Sequence, residues 1–283
     1  MADTLPDSLM NELSFAAMVS DSLQDMKLLA TDDGSGFLLY REWADDVRHV
    51  SVPVWAYDAN DRKTAIRLFQ KLASATVTDL PCEFSINLYH DDVISIQAFC
   101  LMQFGIMSET CIRKLEADDT SKHTSCQIRT LTKPEIAMNW DEVWNATHQI
   151  IIHLQESPVF YPGTEFTEEV YRDFYMDEGT HLLAAYDQDR LAGIMEWNAE
   201  PCELLPLGEA SVNVGEAYVF PEYRGSGLAE QLLRCAEKEA FAAGNRWMWV
   251  QHGTANPNAC GFWNKYFQTC QYELVRRIEI VHT

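Results

Sequence analysis

No apolar run in this sequence approaches the roughly twenty residues that a membrane-spanning helix needs, which sets aside an integral membrane protein. The chain has 8 cysteines but no Cys-x-x-Cys pair, and no basic segment followed by an apolar run stands at its start. Neither a zinc ribbon nor a secretory leader is indicated, so a reducing cytoplasm is the expected setting and no metal is expected. His90, Asp91 and Asp92 are adjacent donors in a turn, without a second cluster at ligand spacing. Positive charge is scarce too: 21 Lys and Arg face 43 Asp and Glu, a net charge of −22. The deficit is no acidic tail, because residues 1–125 carry 10 basic against 20 acidic residues and residues 126–283 carry 11 against 23. Such a field repels nucleic-acid phosphates and mildly favours a cationic substrate.

What is present is a chain of 283 residues, 47% hydrophobic, long enough for two ordinary domains. The polar run from Ala117 to Ser125 reads as a linker between residues 1–116 and residues 126–283. Downstream of it, Gln127 to Leu131 alternates as a short strand, Pro134 to Gln155 carries one long helical pattern, and a second helix is expected near Thr167 to Tyr175. His181–Tyr186 and Leu191–Trp197 flank a hairpin turn, Ser211 to Phe220 forms a strand, Arg246 to His252 another, and Gln271 to Ile280 the last.

The stretch Tyr218-Val219-Phe220-Pro221-Glu222-Tyr223-Arg224-Gly225-Ser226-Gly227-Leu228-Ala229 is the most informative. It runs from a strand through a glycine-punctuated turn into a helix that continues to Ala240. Amides left over in the first helical turn, together with the positive end of the dipole, make an anion site there. Gly225 and Gly227 allow close backbone approach, and Arg224 offers a forked cation to phosphate. No Gly-Lys-Ser/Thr follows, and Glu230 stands where a dinucleotide fingerprint has its third glycine, so two better-known phosphate loops are excluded. Arg-x-x-Gly-x-Ala after a strand ending Val-Phe-Pro resembles the coenzyme A loop of the GNAT acetyltransferase superfamily. Asn256-Pro257-Asn258-Ala259-Cys260-Gly261-Phe262-Trp263 resembles that family's later Asn-x-x-Ala-x-x-aromatic-aromatic helix, in the right order and at the right distance.

The resemblance implies an α/β fold, a GNAT-like twisted sheet flanked by helices, and an acyl-CoA-dependent N-acyltransferase. Acetyl-CoA would be the co-substrate and a small-molecule or peptide amine the acceptor. Tyr218, Val219, Arg224, Gly225, Ser226, Gly227, Leu228, Ala229, Asn256 and Phe262 map onto coenzyme-binding positions, with a backbone N–H near Val219 stabilising negative charge on the thioester oxygen. Glu216 is the first choice for the base that deprotonates the amine, if the strand's register and any bulge turn it inward; His252 and Glu196 are reserves. The family's acidic tyrosine is replaced by Trp263, so Tyr266, Tyr272 or solvent would protonate the leaving thiolate, and Trp263 packs on the pantetheine arm or in the core. Trp140, Trp144, Tyr171, Tyr175 and Trp197, among Glu142, Glu168 and Glu196, lie in segments that shape the acceptor pocket. The alternative is a non-catalytic acyl-CoA-binding or regulatory module.

Residues 1–116 echo the later region at an offset of 163 residues: Phe99, Phe104 and Arg113 fall on Phe262, Phe267 and Arg276. The apolar strand Val52 to Tyr57 falls on Gly215 to Phe220, and Phe84-Ser85-Ile86 on Trp247-Met248-Trp249. The first region then reads as a degenerate copy, with generic α/β alternation the competing account. Its Asp61-Arg62-Lys63-Thr64-Ala65-Ile66 has no glycine and begins with an acid, so no pyrophosphate is expected there. A structural role, as a wall of the acceptor pocket or a homodimer contact, is what remains for it.

Overall fold

The computed structural model describes residues 25–78, 80–117, 126–161, 166–202, 204 and 210–279. The expected linker therefore lies, beyond Ala117, outside the described residues.

In the first region the strands are β1 (Lys27–Ala30), β2 (Gly36–Ala44), β3 (Arg48–Val52), β4 (Tyr57–Ala59), β5 (Cys82–Tyr89) and β6 (Gly105–Lys114), with helices α1 (Arg62–Thr76) and α2 (Val93–Leu101). The apolar stretch Val52 to Tyr57 is not one strand. Pro53 ends β3, Val54–Ala56 turns as a short 3₁₀ helix, and the extended backbone resumes only at Tyr57. The second region contributes β7 (Gln127–Thr130), α3 (Lys133–Met138), α4 (Trp140–Gln155), α5 (Glu168–Met176), β8 (Thr180–Asp187), β9 (Arg190–Asn198), β10 (Ser211–Val219), α6 (Leu228–Ala242), β11 (Trp247–Gly253), α7 (Pro257–Tyr266) and β12 (Gln268–Ile278). The long helical pattern predicted from Pro134 is split in two at Asn139. Its side chain donates to the carbonyl of Glu135 at 2.8 Å and its backbone leaves the helical region (φ −107, ψ 26), a local competition typical of asparagine.

All twelve strands form one sheet, in the order β1-β2-β3-β5-β12-β6-β11-β10-β9-β8-β7, with β4 pairing to β2 off this path. The two regions interlock at its centre. β6 lies antiparallel between β12 and β11, and β12 lies antiparallel between β5 and β6. Moving the first region forward by 163 residues lays β3, α1, β5, α2 and β6 on β10, α6, β11, α7 and β12, each to within three residues at its start. Both parallel pairs, β3 with β5 and β10 with β11, occupy matching places in this scheme.

Alternation along the strands separates two cores in the second region. On one face Met195, Trp197, Val212, Val214, Met248 and Val250 pack with Leu228, Leu232, Leu233 and Ala236 of α6 and with Trp263 of α7. On the other, Leu182, Ala184 and Ile194 pack with Ile136, Trp140, Val143, Tyr171 and Tyr175 of α3, α4 and α5. A third core, built on Leu68, Leu72, Phe84, Ile86 and Phe99, also takes Leu274 from β12.

Candidate active site

β10 and β11 are hydrogen-bonded only from Ser211↔Trp247 to Asn213↔Trp249. Beyond that point β10 runs on to Val219 and β11 to Gly253 without pairing to each other, so the two strands part and a wedge opens between them. Its β10 wall is irregular. On the other edge of β10, Val214 opposes Trp197 and Ala217 opposes Met195, which leaves Gly215 and Glu216 as a bulge opposite Glu196. The Glu196 carboxylate fills that bulge: its Oε2 accepts the Glu216 backbone N–H at 3.3 Å and its Oε1 accepts from Asn198 at 2.7 Å. A Cβ on Gly215 would stand 3.2 Å from the same carboxylate, so glycine suits the bulge.

The bulge turns Glu216 towards α5, where its Oε1 accepts the Tyr171 hydroxyl at 2.9 Å. Two carboxylates thus stand together against Tyr171 and Tyr175, and the Tyr175 hydroxyl lies 3.2 Å from that of Thr147. Burial raises the Glu216 carboxyl above the ordinary range, and the Tyr171 hydrogen bond opposes that rise. Glu196, 1% exposed, is pushed up to about 8, chiefly by burial and also by the nearby Glu216 charge. With a value near 8, Glu196 is largely protonated at neutral pH, and Glu216, the less buried of the two, is the one open to an incoming group.

At the mouth of the wedge, β10 passes through a 3₁₀ turn at Pro221–Tyr223 into α6. Gly225 (φ 76) and Gly227 (φ 85) both take left-handed backbone, and a Cβ on Gly225 would meet nothing within 4 Å, so the loop is open on its outer side. The first intrahelical bond is Gln231 N–H to Gly227 O at 3.2 Å, which leaves the amides of Leu228 and Ala229 without a helical carbonyl. These amides fit an anion. Arg224 is exposed; its Nε donates to Val219 O at 2.9 Å and its guanidinium lies 5.4 Å from the centre of the Tyr218 ring. It braces the strand end. Ser226 donates to Tyr223 O at 2.6 Å at the surface of the turn, and the Leu228 side chain is core. In the first region, the matching place before α1 is taken by the Asp61 carboxylate, which accepts the Thr64 N–H at 2.7 Å. An acid already occupies the position where an anion would sit.

The opposite wall ends at α7. Asn256 is buried and caps this helix, its Oδ1 accepting from Asn258 and Ala259 at 3.2 and 3.1 Å while lying 3.1 Å from His153 Nε2 at the end of α4. Phe262 packs on Trp263 and Tyr266, and Trp263 belongs to the core, the more ordinary of its two expected places. The remaining sequence-predicted residues are dispersed. His252 points to the α6 and α7 face beside Glu109 and Asn264, opposite to Glu216, so the two do not form a pair. Tyr266 lies on that face as well, its hydroxyl 2.9 Å from Lys265. Trp197 stacks on His181 at 3.9 Å, on the face opposite Glu196, and Glu168 accepts from Trp140 Nε1 and Arg172. Neither stands with the two carboxylates.

A strand wedge, a glycine turn into a helix, and a capped helix beyond form one arrangement with the sequence motifs at its corners. Residues 148–267 match the family model of the acetyltransferase (GNAT) family. Among solved structures, a GCN5-related N-acetyltransferase from Sphaerobacter thermophilus is similar over 97% of this chain and 91% of its own, with 13% identity and a TM-score of 0.57. That likeness extends the shared fold beyond the GNAT segment to both regions. A GCN5-related N-acetyltransferase from Kribbella flavida, at 11% identity, covers 93% of this chain and 94% of its own with a TM-score of 0.44. No curated protein matches the sequence.

Proposed function

We propose that the chain is an N-acyltransferase that moves an acyl group, acetyl in the first instance, from a coenzyme A thioester to a primary amine by direct attack. The observation that carries this reading is the bulge at Gly215–Glu216. It places a half-buried carboxylate on the wall of the parted strands, on the way from the glycine turn, and keeps a second, protonated carboxyl behind it. The coenzyme supplies the activated acyl group. The amides of Leu228 and Ala229 hold its pyrophosphate at the helix N-terminus, and the open edges of β10 and β11 receive its arm.

The acceptor enters from the α4 and α5 side, where Tyr171 stands against Glu216. An amine arrives as an ammonium ion and is drawn by Glu216. Glu216 takes its proton, and Tyr171 holds the carboxylate oxygen in place while this happens. Holding the neutral amine against the thioester carbon accounts for much of the remaining acceleration. The acceptor is therefore a small molecule or peptide amine whose body suits aromatic contact. Acetyl-CoA incubated with a panel of such amines, with thiol release followed over time, tests the reading. Turnover with at least one amine supports it, whereas coenzyme binding without turnover on any of them points to the non-catalytic module.

A further inference from the structure

We propose that Glu109, Cys111 and His252 form a binding site for a divalent transition metal, Zn²⁺ by its ligand chemistry, buried where the two regions interlock. Their ligand atoms all lie within 4.8 Å of one another, and the three residues are 4%, 0% and 8% exposed. The placement follows from register. Glu109 stands directly across from His252 in the β6–β11 pair, and Cys111, two residues on, shares its face.

The spacing suits a tetrahedral ion. With ordinary zinc bond lengths, a nitrogen and an oxygen ligand stand about 3.4 Å apart and a nitrogen and a sulfur about 3.6 Å. His252 Nε2 is 3.4 Å from Glu109 Oε1 and 3.9 Å from Cys111 Sγ, and all three ligand atoms lie within 4.8 Å, so closure needs the sulfur to move inward. The mixture of carboxylate, thiol and imidazole selects zinc over magnesium or calcium, which prefer oxygen alone. Supporting contacts are in place around it. Asn264 Nδ2 donates to Glu109 Oε1 at 3.0 Å and Thr269 Oγ1 to Oε2 at 3.1 Å, fixing the carboxylate. Asn264 Oδ1, 3.3 Å from His252 Nε2 and 3.5 Å from Cys111 Sγ, is an oxygen donor in position for the fourth ligand.

A metal also answers a charge problem. Glu109 is a buried carboxylate whose ion-pair partner among the described residues is His252, cationic only when protonated. Binding converts the Cys111 thiol to a metal thiolate and releases its proton to solvent. Because β6 comes from the first region and β11 from the second, the ion would pin them together at the sheet's centre.

The test uses the full chain, stripped with a chelator and titrated with Co²⁺ as a spectroscopic stand-in. The expected result is a near-ultraviolet sulfur-to-cobalt charge-transfer band saturating at one equivalent. It should vanish in Cys111→Ser and persist in Cys100→Ser and Cys260→Ser. Zn²⁺ should raise the unfolding midpoint of the wild-type chain and leave that of Cys111→Ser unchanged. Absence of the band in the wild-type chain, or its survival in Cys111→Ser, overturns the site and leaves a metal-free hydrogen-bond network.

Discussion

At Glu216 two opposed effects meet: burial disfavours its charge, and the Tyr171 hydroxyl at 2.9 Å favours it. Glu216→Gln keeps the shape and should lower turnover by about a hundredfold or more, the usual scale for a lost general base, while coenzyme affinity stays near normal. The residual rate should climb with pH as more amine becomes neutral unaided; near-normal turnover with the original pH profile would assign Glu216 an ordinary structural place. Glu196 makes a separate prediction through stability. Its folded-state value of about 8 lies above that of an unfolded glutamate, so the folded chain binds the extra proton between roughly pH 4.5 and 8. The contribution of this proton is complete below that window and lost as pH rises through it. Thermal midpoints measured from pH 5 to 9 should therefore fall more steeply for the wild-type chain than for Glu196→Gln. Equal slopes would show that Glu196 does not titrate there. The sequence could name both glutamates but not their division of labour, because that depends on which carboxylate the bulge encloses.

At the turn between β10 and α6, Arg224 and Ser226 hydrogen-bond Val219 and Tyr223, and the first amides of α6 lie beside Gly227. Gly227→Trp combines a strained left-handed residue with bulk beside the free amides, and calorimetry should show a large loss of coenzyme A affinity in a folded variant. Unchanged affinity would remove the turn from the binding site. Most elements of the second region were legible because helical and alternating patterns are local: β7 to β12 and α5 to α7 all lie close to their expected places. The break at Asn139 and the turn at Pro53 were not, since each depends on one side chain or ring overriding an apolar pattern. The face of Glu216 was hidden for a related reason. A bulge changes the parity of a strand, and parity decides which side of a sheet a residue serves.

Across the molecule, the offset of 163 residues was visible as a faint echo, but the exchange of β6 and β12 was not, because pairing partners far apart in sequence leave no periodic trace. The exchange also explains why Glu109 and Cys111 went unnoticed beside His252. It carries a prediction for fragments. Residues 126–283 alone lack β6, and with it Cys111 of the α6-side core and the Arg113–Glu237 ion pair at 2.9 Å. Such a fragment should unfold without cooperativity or aggregate, and co-expression with residues 1–117 should rescue it; a soluble fragment with a sharp thermal transition would contradict this.

There is a further consequence for how the molecule is made. β12 follows every other described strand in the sequence, yet it belongs in the middle of the sheet, between β5 and β6. While the chain is still leaving the ribosome, the strands made first must wait with two open edges facing each other across a gap. A nascent chain in that state exposes unpaired strand edges for the whole time needed to synthesise the second half. Folding on the ribosome is thus held back until the final strand emerges, and a chain truncated just before β12 would lose the keystone of the sheet rather than its rim.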